Sequence, residues 1–331
     1  MNPNSPHQKF FWAILIVVAV LLGIATTYAQ VDDISYRFIK VQQEKVHDQM
    51  VDGVAGNPWQ YRIFADWMIE QVIQLTYKIG IVVPKASVFI AFRFIQCLLI
   101  FLAAGIYYRK LGLPLFTNLI GLSLLSWGMS TSLYNSDLAF NNFFDIAFYL
   151  LAAITIMDRK FFWIPILIIL AAFNRETSAL IPFMLIGHAY FDGRDDKPLK
   201  PAAIYTVISL IIFTAIFFGL RAYYGEQQFL TADGFYPGLG LLKLNLIRVV
   251  TWEQLLLTLG IIPFLAVLVY RAWPKTLKIY FWVVVPAWIT IHFLASLVAE
   301  SRLLLVPQAL VFIPGALFGI IGMARQQEKS Q

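Results

Sequence analysis

The sequence predicts an all-α fold, a polytopic transmembrane bundle of about ten helices, and three observations predict it. Hydrophobic residues make up 60% of the 331-residue chain and charged residues only 13%, more apolar material than a soluble core of that length can hide. Apolar runs recur at the length of about twenty residues that a ~30 Å hydrocarbon core demands, because lipid offers no partner to exposed backbone groups. Lys and Arg gather in alternate connections, as they do in cytoplasmic loops. The net charge of +6 has that same origin, and no nucleic-acid partner is expected.

Taken in order, Phe10–Ala29 follows Lys9 and reads as a retained first helix, its apolar core being longer than the ~7–15 residues of a signal peptide. Residues 31–85 form a first outer loop. It is polar as far as Met50, turns at Asp52-Gly53-Val54-Ala55-Gly56-Asn57-Pro58, and ends in the apolar run Ile63–Val83. There Asp66, Glu70, Gln74 and Lys78 recur at i, i+4 spacing, the pattern of an interfacial helix with one wet face. Spans follow at Ala86–Tyr107, Leu113–Leu133 and Leu138–Ile156. The apolar region from Phe161 to Phe191 is interrupted by Asn174-Arg175-Glu176-Thr177 and reads as two short helices. Further spans are Ala202–Leu220, Gln254–Tyr270, Ile279–Val298 and Leu303–Met323, with a second long outer loop over 221–253. The whole of 1–331 reads as one transmembrane domain with no internal repeat and no soluble C-terminal domain.

Placing both termini in the cytoplasm puts Lys9, Arg109-Lys110, Arg159-Lys160, Arg194, Lys197, Lys200, Arg271, Lys275, Lys278, Arg325 and Lys329 on one side. The short opposite connections, Tyr134-Asn135-Ser136-Asp137 and Glu300-Ser301-Arg302, hold only Arg302. The polar residues then face away from the cytoplasm, across an inner or plasma membrane.

A charge in hydrocarbon costs at least ~2.5–3.5 kcal/mol on insertion scales, so intramembrane ionisable groups face cavities and have partners. Asp32-Asp33, just past the first helix, is a candidate proton acceptor, or else a solvated helix end. In Asn57-Pro58-Trp59-Gln60-Tyr61-Arg62 the guanidinium suits phosphate and the aromatic rings suit the headgroup level. The plain alternative is an anchor with Arg62 paired to Asp66. The segment before Asn174 is about 13 residues, or ~20 Å at 1.5 Å per residue, too short to cross. Asn174-Arg175-Glu176-Thr177 should therefore line a recess below the membrane surface. Glu300-Ser301-Arg302 repeats the pairing of acid with guanidinium. Arg93 and Gln96 lie inside the second span, and Asn135, Asp137, Asn141, Asn142 and Asp145 cluster near the outer end of the fourth.

Cys97 stands alone in an apolar run, which excludes a disulfide framework. His7, His47, His188 and His292 are scattered and lack zinc-hydrolase spacing, and no nucleotide-binding loop or serine elbow is present. No metal ligands are assigned, and a divalent cation is left open as a cofactor.

Asp32-Asp33, Gln60-Tyr61-Arg62, Asn174-Arg175-Glu176-Thr177 and Glu300-Ser301-Arg302, in this layout, resemble the GT-C superfamily of integral membrane glycosyltransferases. The resemblance implies inverting transfer of a sugar from a polyprenyl-phosphate donor at the extracytoplasmic face, to a lipid or glycan acceptor among the membrane lipids of the cell envelope. It implies that Asp32 or Asp33 is the base and that Arg62, Arg175 and Arg302 bind the donor phosphate. Tyr61, Gln60, Asp137, Asn174, Glu176, Glu300 and Arg93 are implied as supporting residues. The rival expectations are a transporter or flippase for a lipid-linked or anionic substrate, since broken helices also build such sites, and a non-catalytic scaffold subunit.

Overall fold

The computed structural model describes residues 6–133, 137–191, 199–228 and 234–330, and these are overwhelmingly helical. Helix α1, Pro6–Ile34, carries no charge from Phe10 to Val31. It breaks at Ser35, whose φ of 73° leaves the helical region and whose hydroxyl accepts from the Phe38 amide at 3.3 Å. The chain resumes as α2, Tyr36–Phe38, a π-helical turn Ile39–Gln43 and α3, Glu44–Val51. Helix α4 is Phe64–Lys78 and α5 is Lys85–Leu111. Gly112, at φ 99°, ends α5 in the left-handed conformation that glycine tolerates, with Arg109 and Lys110 in its last turn. Helices α6, Leu115–Ser130, and α7, Phe140–Met157, follow. The interrupted region is α8, Trp163–Asn174, the tight turn Glu176–Leu180 and α9, Ile181–Phe191. Beyond it come α10, Leu199–Tyr224, α11, Leu239–Ile247, α12, Val249–Leu259, and α13, Ile262–Leu268. Helix α14, Lys275–Ala295, precedes the last span, Ser301–Gly322, which contains α15, Leu305–Pro307, and enters α16, Ile313–Ser330.

Six segments are long and apolar enough to cross a membrane: Lys9–Ile34, Lys85–Leu111, Phe140–Met157, Leu199–Tyr224, Lys275–Ala295 and Ser301–Gly322. A seventh is reached if α12 and α13, bent by 71° at Gly260, count as one. The chain is thus an α-helical, multi-pass membrane protein. The difference from a count of about ten lies in α6, α8 and α9, whose 16, 12 and 11 residues rise only about 16–24 Å at 1.5 Å each.

Basic residues meet at one end of the bundle, where Lys110 pairs with Asp158 and the Arg109 guanidinium lies 3.9 Å from the Phe11 ring centre. At the opposite end converge the end of α1, the loop before α4, the α8–α9 turn, the end of α10 and the end of α14. Buried α7, α5 and the last span form the middle: Tyr107 and Tyr108 donate to the Leu310 and Ala309 carbonyls at 2.9 and 3.0 Å. That last span packs through a Gly-x-x-x-Gly pair, as membrane helices do when small residues let backbones approach. A Cβ on Gly315 would come within 2.6 Å of Trp273, and one on Gly319 within 2.6 Å of Val269. Gly319→Leu is expected to force α13 from α16 and cost about 1–3 kcal/mol, measurable as earlier thermal unfolding in detergent.

Helix α4 differs from the expected wet-faced helix. Ala65, Ile69 and Ile73 are buried, while Trp67, Val72, Leu75 and Tyr77 are exposed. Asp66 and Glu70 turn inward onto His47 of α3, at Nδ1–Oδ1 2.9 Å and Nε2–Oε2 3.1 Å. The alternative pairing of Arg62 with Asp66 is not made. A carboxylate on each ring nitrogen favours the imidazolium form of His47, in which both nitrogens donate. Burial alone would lower the His47 pKa, but Asp66 and Glu70 outweigh it and hold it above the ordinary histidine value. A raised folded-state pKa contributes stability that is complete below the ordinary value of about 6.5 and is lost as pH rises through the folded value. The parent protein should therefore lose thermal stability from mildly acidic to alkaline pH, and His47→Gln should flatten that slope.

Candidate functional site

The arginines and the paired acids line two different cavities. A cavity of about 510 Å³ is lined by Arg62, Arg175, Arg221, Glu176, Glu300, His292 and Asn142, with Trp59, Phe217, Phe235 and Leu241 among its apolar walls. Counting the two groups paired to the lining from behind, Asp145 on Arg175 and Arg302 on Glu300, four guanidiniums meet three carboxylates, a surplus of one positive charge.

Each polar group is held from behind. Arg175 follows α8 in an extended conformation, φ −160° and ψ 153°, because the helix ends at Asn174, whose amide donates to the Asn141 carbonyl and to Asp145 Oδ1, both at 2.8 Å. Asp145 Oδ2 accepts from Thr177 at 2.9 Å and lies 3.4 Å from Arg175 Nη1, which also donates to Asn142 Oδ1 at 2.6 Å. Arg175 Nε finds no hydrogen-bond partner among the described residues, so donor capacity is left over. His292 Nδ1 sits 2.8 Å from the Trp288 carbonyl and must donate to it. That fixes the tautomer with a lone pair on Nε2, which faces Arg175 Nη2 at 3.4 Å.

Toward the loop side, Arg62 directs Nε and Nη2 onto one oxygen of Glu176, Oε2, at 3.0 and 2.9 Å. Arg221, at the end of α10, approaches the other oxygen, Oε1, only to 3.7 Å. Its guanidinium rests on the Phe217 and Tyr61 rings at 3.5 and 4.5 Å, and that of Arg62 lies 5.6 Å from the Trp59 ring centre.

The remaining sequence candidates fall into place around this cavity or away from it. Gln60 and Tyr61 are structural: Gln60 accepts from the Ala55 amide at 2.8 Å and donates to the Met50 carbonyl, while the Tyr61 hydroxyl donates to the Gly225 carbonyl at 2.9 Å. Arg302, 2% exposed, stands outside the lining and donates to Glu300 Oε2 at 2.7 Å. Arg93 is buried against the Phe143 and Phe140 rings and donates to Gln96. Asp137 accepts from the Ala139 amide at 3.1 Å beside a small cleft it shares with Arg62 and Asp66. Asn135 lies outside the described residues. Among those described, no group of three or more His, Cys, Asp or Glu side chains is placed to hold a metal.

Asp32 and Asp33 do not join the arginines. They line a separate cavity of about 940 Å³ with Tyr28, Phe38, Trp127, Thr131 and Gln254. The expectation of a single recess is corrected here, because the end of α1 packs on α6, with Gln30 donating to the Met129 carbonyl at 2.7 Å, and faces α12 across this cavity rather than α8 and α10. Beside that cavity, Thr258 of α12 bonds both the Thr131 carbonyl, at 3.3 Å, and the Ser301 hydroxyl, at 2.5 Å. Reasoning from the sequence missed His292 and Arg221 as site residues. Arg221 carried one signal, a cation just past a long apolar run; His292 carried none, since its tautomer depends on a fold contact. No family model matches this chain, and no curated protein or solved structure is significantly similar to it.

Proposed function

We propose that this protein is a membrane glycosyltransferase that moves a sugar from a polyprenyl-phosphate donor to an acceptor at the extracytoplasmic face, in the roughly ten-segment layout of the GT-C superfamily. The observation that carries this reading is the convergence of Arg62, Arg175 and Arg221 on one apolar-walled cavity with a surplus of positive charge. When the sugar–phosphate bond breaks, its electron pair goes to the phosphate oxygen. Preorganised guanidiniums in a site of low dielectric stabilise the charge that develops there. The prenyl chain follows the apolar wall at Phe217 and Leu241.

A general base must lie within about 2.6–3.2 Å of the proton it takes, or one water away. Asp32 and Asp33, in the other cavity, do not meet that condition in this conformation. Of the two carboxylates in the arginine cavity, Glu176 is engaged by Arg62, whereas Glu300 has one oxygen bonded by Arg302. In this reading Glu300 receives the acceptor hydroxyl proton through its other oxygen.

The separation of the acid pair favours one second reading, a flippase or transporter that binds a lipid phosphate in the arginine cavity without bond cleavage. Purified protein in sealed vesicles separates the two. A glycosyltransferase releases polyprenyl phosphate from the sugar donor when acceptor is supplied, whereas a transporter moves the intact donor across the bilayer. Neither release nor movement, with no prenyl phosphate among the co-purified lipids by mass spectrometry, would end both readings.

A further inference from the structure

The Arg62–Glu176–Arg221 cluster has a geometry that its own carboxylate does not satisfy. Arg62 brings two N–H donors to one oxygen, whereas Arg221 stays 3.7 Å from the other, beyond hydrogen-bond distance. A planar carboxylate offers two oxygens in one plane. A phosphate monoester offers three terminal oxygens in a tetrahedral array, which lets two guanidiniums from different directions each be met. Arg221 is already oriented without Glu176. Arg221 rests on Phe217 and Tyr61 and donates to the Phe217 carbonyl at 3.1 Å, and Tyr61 is itself fixed to Gly225. Glu176 follows the extended Arg175 at the start of a tight turn, and its side chain is 28% exposed, so it has room to withdraw.

We infer that Arg62 and Arg221 form a seat for a phosphate monoester and that Glu176 occupies it as an internal competitor, leaving when the ligand phosphate arrives. The inference rests on the reading above and deepens it by naming where the polyprenyl phosphate released by transfer, a monoester unlike the diester donor, is held and what it displaces. Glu176 thereby sets affinity: its one negative charge offsets half of the two neighbouring positive charges in the empty protein and opposes weakly held anions.

The test is titration of the full-length protein in lipid nanodiscs with geranyl phosphate and, separately, with inorganic phosphate. Removing the competing charge in Glu176→Gln should tighten geranyl phosphate binding about five- to ten-fold, and Arg221→Gln should weaken it about ten-fold. A parallel response to inorganic phosphate shows that the seat reads the phosphate alone. A response confined to geranyl phosphate shows that it reads a lipid headgroup, and either result sustains the seat. Equal or weaker binding by a folded Glu176→Gln protein overturns it, since a residue that merely supports the ligand would lose affinity. If Glu176→Gln does not fold, Arg221→Gln decides alone, because it leaves the Arg62–Glu176 bond intact; unchanged affinity there overturns the seat. A transfer assay that stays active while these shifts fail to appear would leave the glycosyltransferase reading standing and remove only the inference.

Discussion

Replacing Asp145 with leucine is expected to destabilise the protein by about 3–5 kcal/mol, because it leaves the Arg175 guanidinium buried without its counter-charge. Asp145 is 1% exposed and receives three polar contacts, from Asn174, Thr177 and Arg175. All three come from the α8–α9 turn, so one carboxylate on α7 organises the whole break in the apolar run. Denaturant or thermal unfolding in detergent reads the loss directly. The double variant Asp145→Leu/Arg175→Leu supplies the control. With no unpaired charge left inside, it should recover a large part of the stability, whereas strict additivity of the two single losses would mean that the pair does not act as a unit.

In a donor-turnover assay, Arg62→Gln should lower the rate about 10²–10³-fold while folding is retained. Removing one preorganised donor from a developing oxyanion typically has that effect, and Arg62 keeps partial exposure at 14% of its side chain. The Asp32→Asn/Asp33→Asn double variant should stay within about three-fold of the parent, since a base too far to accept the proton contributes little to the step. The opposite pattern, a dead acid-pair variant beside an active Arg62→Gln, would move the chemistry into the cavity beneath α1 and α6. Glu300→Gln, which keeps the shape of Glu300 but removes its basicity, completes the series and should lose turnover with Arg62→Gln.

The sequence was most informative where hydrocarbon sets the rule. Each long span shows as a predominantly apolar run, since a helix in lipid must satisfy its own backbone and cover it with apolar side chains. The break at Asn174-Arg175-Glu176-Thr177 was legible for the same reason, and α8 does stop at Asn174. Reading was weaker where a polar stripe can turn to water or to protein. The spacing of Asp66 and Glu70 was correct for a single helix face, but the partner that draws them inward, His47, is nineteen and twenty-three residues away. The acid pair misled in the same way: its place beside the first helix end is visible in the chain, and the neighbours of that end are not.

By itself, then, the sequence determined that the chain is a helical, multi-pass membrane protein, where its longest spans lie, and which charged residues must be compensated, because hydrophobic length and desolvation cost are local properties. Only the tertiary structure decided the sorting of those charges. It joined Arg62 to Glu176 and Arg221, joined Arg175 to Asp145 and His292, and left Asp32 and Asp33 lining a separate cavity. The physical reason is that an ion pair is chosen by which helix ends pack together at one end of the bundle, and that packing is a contest among distant side chains which no local pattern encodes.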